Sequence, residues 1–201
     1  VFGQQVLFRQ RTNAGNHDTY FVYEKGNLIY VLPPLASDYL SQKDDYWEEN
    51  GDLLKKYAYS YKYDQRNRCI QKRIPGTESI LFKYDKADRL IFKQDGNMRT
   101  KGRWHFTLYD VFNREVITGT CASTVDVEGL KLDAVPCLPE KGFHNTGYRV
   151  DGFNPESVEI LTINYYDRYD FIDLILPRFR AHFRYDQEGV NDSIHICQGA
   201  P

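Results

Sequence analysis

The sequence is defined first by what it has little of. It holds one Met, and four cysteines, Cys69, Cys121, Cys137 and Cys197, with no CxxC pair. Zinc ligands normally arrive in close couples, so a zinc site is not expected. One or two disulfides remain open, Cys121–Cys137 first among them, with free buried thiols the favoured state. No apolar run nears the roughly 20 residues that span a bilayer as a helix; the best, Phe171 to Leu176, is six residues long and carries Asp173. Charge of one sign is missing too. Against 26 basic residues stand 28 acidic ones, a formal net of -2, which gives no footprint for nucleic acid or an anionic membrane. The first residues, Val1-Phe2-Gly3-Gln4-Gln5, lack the regions of a signal peptide, an absence without weight if the chain is part of a longer protein, as we expect.

Catalytic motifs are also missing. There is no G-x-S-x-G, H-E-x-x-H or P-loop. His17, His105, His144, His182 and His195 are scattered, and His195-Ile196-Cys197 is the one close His/Cys couple. Its position in the last residues, where chains fray, speaks against a Cys–His site. Asp167, Asp170 and Asp173 have a loosely calcium-like spacing, but without the glycine and terminal Glu of an EF-hand loop. An exposed acidic turn is the expectation there, and no metal, cofactor or catalytic residue is assigned.

What is present is aromatic: 16 Tyr, 12 Phe and 2 Trp in 201 residues. Such rings favour half-buried pleated surfaces, and each buries roughly 150–250 Å². The strongest local signal is Lys56-Tyr57-Ala58-Tyr59-Ser60-Tyr61-Lys62-Tyr63-Asp64. Alternation there places four tyrosines on one face of a strand, although the first one or two can belong to a preceding helix. After a polar interval, Arg68 to Ile74 gives a second strand, and Pro75-Gly76 a turn. The pattern returns in Ile80 to Asp85 with Arg89 to Gln94, closed by Asp95-Gly96-Asn97. It returns again, worn, in Trp104 to Asp110 with Arg114 to Gly119.

These three hairpins align as Tyr-Asp-x-x-x-Arg: Tyr63-Asp64 with Arg68, Tyr84-Asp85 with Arg89, Tyr109-Asp110 with Arg114. A repeat near 20 residues signals units that bury their faces against neighbours. The residue before each Arg is Asn67, Asp88 or Asn113. Asn and Asp best tolerate φ > 0 among non-glycine residues, so a left-handed turn position is expected at all three. Degenerate copies are Phe21 to Asn27, Tyr166 to Asp170 with Asp170 at the turn, and Tyr185 to Gly189. Pro33-Pro34 ends the strand Leu28–Leu32. The stretch from Ser37 to Lys56 is expected to hold one or two short helices, the second starting near Asp52. Cys121 to Asp151 shows little periodicity and reads as an irregular connection.

Together, Tyr61-x-Tyr63-Asp64-x-x-x-Arg68 and its two copies resemble the tyrosine–aspartate (YD, or Rhs) repeat of cell-wall-associated proteins. Tyr20 to Pro34 and Asn164 to Phe171 look like the style of Bacteroidetes members. The resemblance covers about Tyr20 to Asp186. It implies a strip of β-hairpins that spirals, in complete members, into a hollow shell, on a secreted or cell-surface bacterial protein. It implies as partners the rest of the same polypeptide and a cell-surface glycan or protein. The family's self-cleaving Asp-Pro-containing segment is absent, since no Asp-Pro pair occurs, and about three good repeats cannot close a large shell. Proteolytic or toxin activity therefore does not transfer.

The expected fold is mainly β: an open, twisted antiparallel sheet of successive hairpins with one or two short helices. The whole of 1–201 is one repeat segment, with an N-terminal hairpin at 1–34, a partly helical connection at 35–56, three repeats at 57–119, an irregular connection at 120–160 and degenerate repeats at 161–201. In each repeat Asp is expected to bond turn N–H groups and Arg to stack on Tyr across its hairpin. A rival use of the aromatics is sugar stacking, with Trp104, Tyr57 and Tyr59 as the platform, joined by Tyr61, Tyr63 and Trp47. The expected function is a non-enzymatic structural or interaction segment, with a carbohydrate-binding module as the alternative.

Overall fold

A computed structural model describes residues 3–41, 51–138 and 141–167. Strands make up 44% of it, against three helices of eight, six and five residues, so the expectation of a mainly β fold holds. The strands are β1 (Leu7–Thr12), β2 (Gly15–Glu24), β3 (Asn27–Leu32), β4 (Tyr59–Tyr63), β5 (Cys69–Arg73), β6 (Ile80–Tyr84), β7 (Leu90–Gln94), β8 (Trp104–Tyr109), β9 (Glu115–Cys121), β10 (Ala134–Pro136), β11 (Tyr148–Val150) and β12 (Glu159–Ile163). Ten form one open antiparallel sheet in the order β1-β2-β3-β4-β5-β6-β7-β8-β9-β12, and β10 pairs with β11 apart from it. The chain divides into two compact units. One is built from Val1–Thr107, Gly119–Lys131 and Asn154–Glu159, the other from Leu108–Thr118, Leu132–Phe153 and the chain from Ile160 onward.

The helices sit where local chemistry starts and stops them. Helix α1 (Pro34–Ser41) begins on a proline, whose fixed φ suits a first helical position. This is why Pro33-Pro34 ends β3. Helix α2 (Asp52–Tyr57) has an acid in its first turn and Lys55 and Lys56 in its last, each favourable to the helix dipole. Ala36, Leu54 and Ala58 are buried with Tyr30 and Leu32 of β3, forming a small core that Tyr57 and Leu40 flank. Tyr57 is therefore helical. Three tyrosines of the run, not four, belong to β4. Asp95-Gly96-Asn97, expected as a plain turn, instead opens helix α3 (Gly96–Thr100), because the Asp95 carboxylate caps it by accepting from the Met98 N–H at 2.8 Å.

In the middle of the sheet the buried side is apolar. Phe92 and Phe106 face each other on β7 and β8 and are both fully buried. Gly119 of β9 lies against the Phe106 ring so closely that an added Cβ would stand 2.6 Å from it and would also run into the Glu159 carbonyl oxygen. The segment after Cys121 is irregular, as expected, and is tied to the hairpins: Leu130 C=O accepts from Lys86 N–H at 2.9 Å, and Lys83 Nζ reaches Thr124 Oγ1 at 2.7 Å. The irregular stretch does contain one ordered pair, the β10–β11 ladder of the second unit. Cys69, Cys121 and Cys137 are free thiols, so the Cys121–Cys137 bridge is not formed. Asp170, Tyr185, Trp47, His182, His195 and Cys197 lie outside the described residues.

Candidate functional site: the repeated turn and its forward clamp

Each Tyr-Asp-x-x-x-Arg motif closes a hairpin in the same way. In the first, Asp64 N–H donates to Arg68 C=O at 3.0 Å and Asn67 N–H donates to Asp64 C=O at 3.1 Å. The Asp64 carboxylate accepts through one oxygen from the Arg66 and Arg68 N–H groups and through the other from Arg68 Nε, at 2.8, 3.0 and 2.7 Å. In the second hairpin Asp85 repeats all of this with Asp88, Ala87 and Arg89, and Arg89 Nη2 adds a further bond at 2.7 Å. In the third, Asp110 repeats it with Asn113, Phe112 and Arg114. One carboxylate thus satisfies two turn N–H donors and one guanidinium, the charge-assisted arrangement that short distances mark as strong.

The residue before each Arg is left-handed: φ is 60° at Asn67, 62° at Asp88 and 63° at Asn113. The expectation placed on these three positions holds. In the degenerate hairpin of β2 and β3 the turn passes instead through Lys25 and Gly26, at φ 48° and 88°. A second shared feature is a register shift immediately before the Asp, between Lys62 and Tyr63 in one hairpin and between Lys83 and Tyr84 in the next. That bulge opposes two residues to one and sharpens the local twist, and it aims each motif tyrosine at a neighbouring hairpin.

The contacts between hairpins are where structure departs from expectation. Arg68 and Arg114 do not stack on a tyrosine of their own hairpins, although Arg114 lies 5.2 Å over Phe112 in its own turn. With Nε fixed on the hairpin's own Asp, each guanidinium reaches a later segment of the chain, whereas Arg89 adds a second bond to its own Asp85. Arg68 lies 5.2 Å over the Tyr84 ring, and its Nη1 donates to Asp85 C=O and to the Asp88 carboxylate, both at 3.0 Å. Arg66 adds bonds to Asp88 and to Lys86 C=O. In the second unit Arg114 lies 4.3 Å over Tyr166 and bonds Asp167 at 2.7 Å; Asp167 is itself left-handed, at φ 58°. At the head of the series Asn27 stands where the arginine would be, and donates to the Asn67 side-chain oxygen at 2.9 Å.

Tyrosines complete the clamp from the other direction. Tyr63 OH donates to Leu28 C=O, Tyr84 OH to Cys69 C=O and Tyr166 OH to Glu115 C=O. Each acceptor is the residue just after Asn27, Arg68 or Arg114. In these contacts Asn27, Arg68 and Arg114 reach forward, and Tyr63, Tyr84 and Tyr166 reach back. Tyr109 makes a parallel bridge to Asp133. No sequence spacing announced this clamp, because its partners lie 15 to 53 residues apart.

Electrostatics follow the bonding. Burial opposes the charge on Asp64, yet hydrogen bonds from the Arg68 backbone and side chain and the Arg66 N–H outweigh it, so its carboxyl lies below the ordinary range. Asp110 is lowered by the same balance with Arg114 and Phe112. Burial pushes the Tyr61, Tyr63 and Tyr84 phenols up.

The aromatic platform is not assembled. Tyr57 is in α2 and stacks on Tyr39, ring centres 5.1 Å apart. Tyr59 lies on β4, on the face that register carries through Tyr61, Lys72 and Ile80. Leu81, on the opposite face from Ile80, pairs with Gln94, and Phe92 on that side pairs with Phe106, two residues from Trp104. Trp104 thus lies on the other face from Tyr59, edge-on to Phe92 with Lys83 over its ring. Alternation along one strand fixes a face locally, but the helix and the hairpin registers decide which rings meet.

Two shallow clefts adjoin the hairpins in the first unit. One, about 170 Å³, is walled by Arg68, Ile70, Phe82 and Tyr84 with Val125 to Glu128 opposite. The other, about 310 Å³, lies beside Leu90, Lys93, Met98 and His105. Among the described residues no group of three or more His, Cys, Asp or Glu is placed to hold a metal, and no helix is long and apolar enough to cross a membrane. Comparison with known proteins finds no family model that matches this sequence and no match among curated proteins.

Proposed function

We propose that the chain is a non-enzymatic scaffold segment of the YD-repeat type, a run of β-hairpins from a secreted or cell-surface bacterial protein whose partners are its own further repeats and surface glycans or proteins. One observation carries this reading: in the hairpin turns the chemically capable groups, Asp64, Arg68, Asp85 and Arg89, are engaged in closing a turn, and Arg68 also in gripping the next one. Residues that serve the unit in every copy are structural first. The resemblance to the family supplies the compartment.

Hydrogen exchange on the full chain tests the scaffold. Replacing Arg68 with Ala is expected to lower protection at its own turn and also at Lys86 to Arg89 of the following hairpin. Loss confined to residues 64–68 would remove the clamp and the reading with it. A glycan array probed with the same protein separates the alternative: saturable binding of one sugar class, abolished at Tyr59 or Trp104, would replace the scaffold by a carbohydrate-binding module.

A further inference from the structure

Among the described residues the sheet ends on one side in β1, all six of whose residues are exposed. Val6 C=O accepts from Phe21 N–H, so alternation turns the N–H and C=O groups of Leu7, Arg9 and Arg11 away from β2. A bare row of this kind accepts an added strand. What fills it is indicated by the residues just before β1.

Gly3, Gln4 and Gln5 do what the second half of each repeated turn does. Gly3 is left-handed at φ 91°, as Gly26 is before Asn27 and Asn67 before Arg68. Gln4 Nε2 donates to Gly26 C=O at 2.9 Å. It thus grips the left-handed residue of the next turn, as Asn27 grips Asn67 and Arg68 grips Asp88. Tyr23 OH donates to Gln5 C=O at 3.2 Å, the residue just after this arm, as Tyr63 does to Leu28 and Tyr84 to Cys69.

Strand register gives the same answer independently. Three residues after Asn27, Arg68 and Arg89 stand Tyr30, Gln71 and Phe92; three before Tyr63, Tyr84 and Tyr109 stand Ser60, Leu81 and Phe106. These pair as Tyr30 with Ser60, Gln71 with Leu81 and Phe92 with Phe106. Leu7 and Tyr20, three after Gln4 and three before Tyr23, pair in the same way. β1 stands to β2 as β5 stands to β6.

We propose that β1 is the second strand of a further motif hairpin, and that its open edge seats that hairpin's first strand, an antiparallel segment of the same polypeptide ending in Tyr-Asp. The inference rests on the scaffold reading and names one of the further repeats which that reading calls for. Asp64 precedes Arg68 by four residues, so the same count back from Gln4 places the aspartate directly before Val1. There its carboxylate accepts from the Gln4 N–H, as Asp64 does from the Arg68 N–H. A second copy laid along β1 would cover the same edge without closing the turn at Gly3.

Adding Tyr-Ser-Tyr-Lys-Tyr-Asp, a copy of Tyr59 to Asp64, ahead of Val1 in the full chain tests this by hydrogen exchange. The Leu7 and Arg9 amides should exchange at least about tenfold more slowly in the extended chain than in the original. Gly3→Val in the extended chain should abolish the gain, because a branched side chain resists the left-handed turn. Unchanged exchange at Leu7 and Arg9, or equal protection in the Gly3→Val form, would overturn the proposal. So would protection of these amides in the original chain that grows with concentration, the mark of a second copy on the edge. Should the extended chain fail to fold by circular dichroism, the same six residues are added to the original chain as a free peptide at millimolar concentration. They should slow the same two amides, and no slowing would sink the idea. The scaffold reading fails separately, through Arg68→Ala: a normal response at Lys86 to Arg89 with Leu7 and Arg9 still open would remove this inference alone.

Discussion

The two ends of the hairpins obey different rules. At the motif end, the turns at 64–68, 85–89 and 110–114 share the same carboxylate, the same left-handed residue and the same arginine. At the other end no two connections agree. β3 reaches β4 through two helices; β5 reaches β6 through a tight turn in which Thr77 N–H donates to Ile74 C=O; β7 reaches β8 through α3. The turns at 64–68 and 85–89 touch through Arg68 and Tyr84, so each must present the shape its neighbour expects. The other ends have only to return the chain, and Gly76 N–H even borrows its acceptor from Lys55 in α2. Repetition in the sequence therefore marks where hairpins recognise each other, and variation marks where they do not.

The largest break in that contrast is expected at Asp85, fully buried with Arg89 at 6% exposure. Asp85→Ala leaves a buried guanidinium without its carboxylate and should cost about 3–5 kcal/mol, read from the denaturant midpoint. Thr77→Ala, at the exposed opposite end, should fall within about 0.5 kcal/mol of wild type. Equal losses at the two sites would erase the distinction. Next in size is Gly119→Ala, where the new methyl meets Phe106 and the Glu159 carbonyl; overpacking of this kind costs about 1–3 kcal/mol, and an unchanged melting temperature would count against the packing.

A smaller effect sharpens the account of the turn itself. Asn67→Val should cost about 1–2 kcal/mol, because a branched Cβ crowds the left-handed conformation. Asn67→Gly should be milder, since glycine relieves that strain but loses the bond from Asn27 and loosens the unfolded chain. A valine form as stable as wild type would mean that turn conformation does not limit the hairpin. The smallest expected effect is with pH. Asp64 and Asp110 are lowered in the folded state, so their contribution is complete above the unfolded value near ~4 and is lost as pH falls through the folded values. Replacing Asp64 with Asn should flatten that acid limb in a urea titration, and an unaltered limb would place the acid sensitivity elsewhere.

The hairpins were legible because their demands are local. Alternation over five residues, Asp three residues before a left-handed Asn or Asp, and Arg immediately after it are all contained within one turn. Pro34 and Asp52 likewise mark their helices from adjacent residues alone. The forward clamp was not legible, because Arg68 meets Asp88 only after β5 and β6 have paired, and an arginine beside aromatic residues reads equally well as stacking at home. The aromatic row failed for a related reason. Tyr57 was taken into α2, and Trp104 reached the opposite face through two strand pairings that no local period encodes.

The direction of the clamp bears on how such chains change in length over time. Asp64 to Tyr84 is one whole period of 21 residues, running from one motif aspartate to the tyrosine before the next. Excising 64–84 would place Tyr63 directly before Asp85 and recreate Tyr-Asp-x-x-x-Arg without a mismatch. Asn27 would then meet Asp88 in place of Asn67, an acceptor for an acceptor. Duplicating the same stretch would be equally silent at both joints. Recombination between copies can thus lengthen or shorten the array without redesigning any turn, and copy number becomes the cheapest variable that evolution can adjust in it.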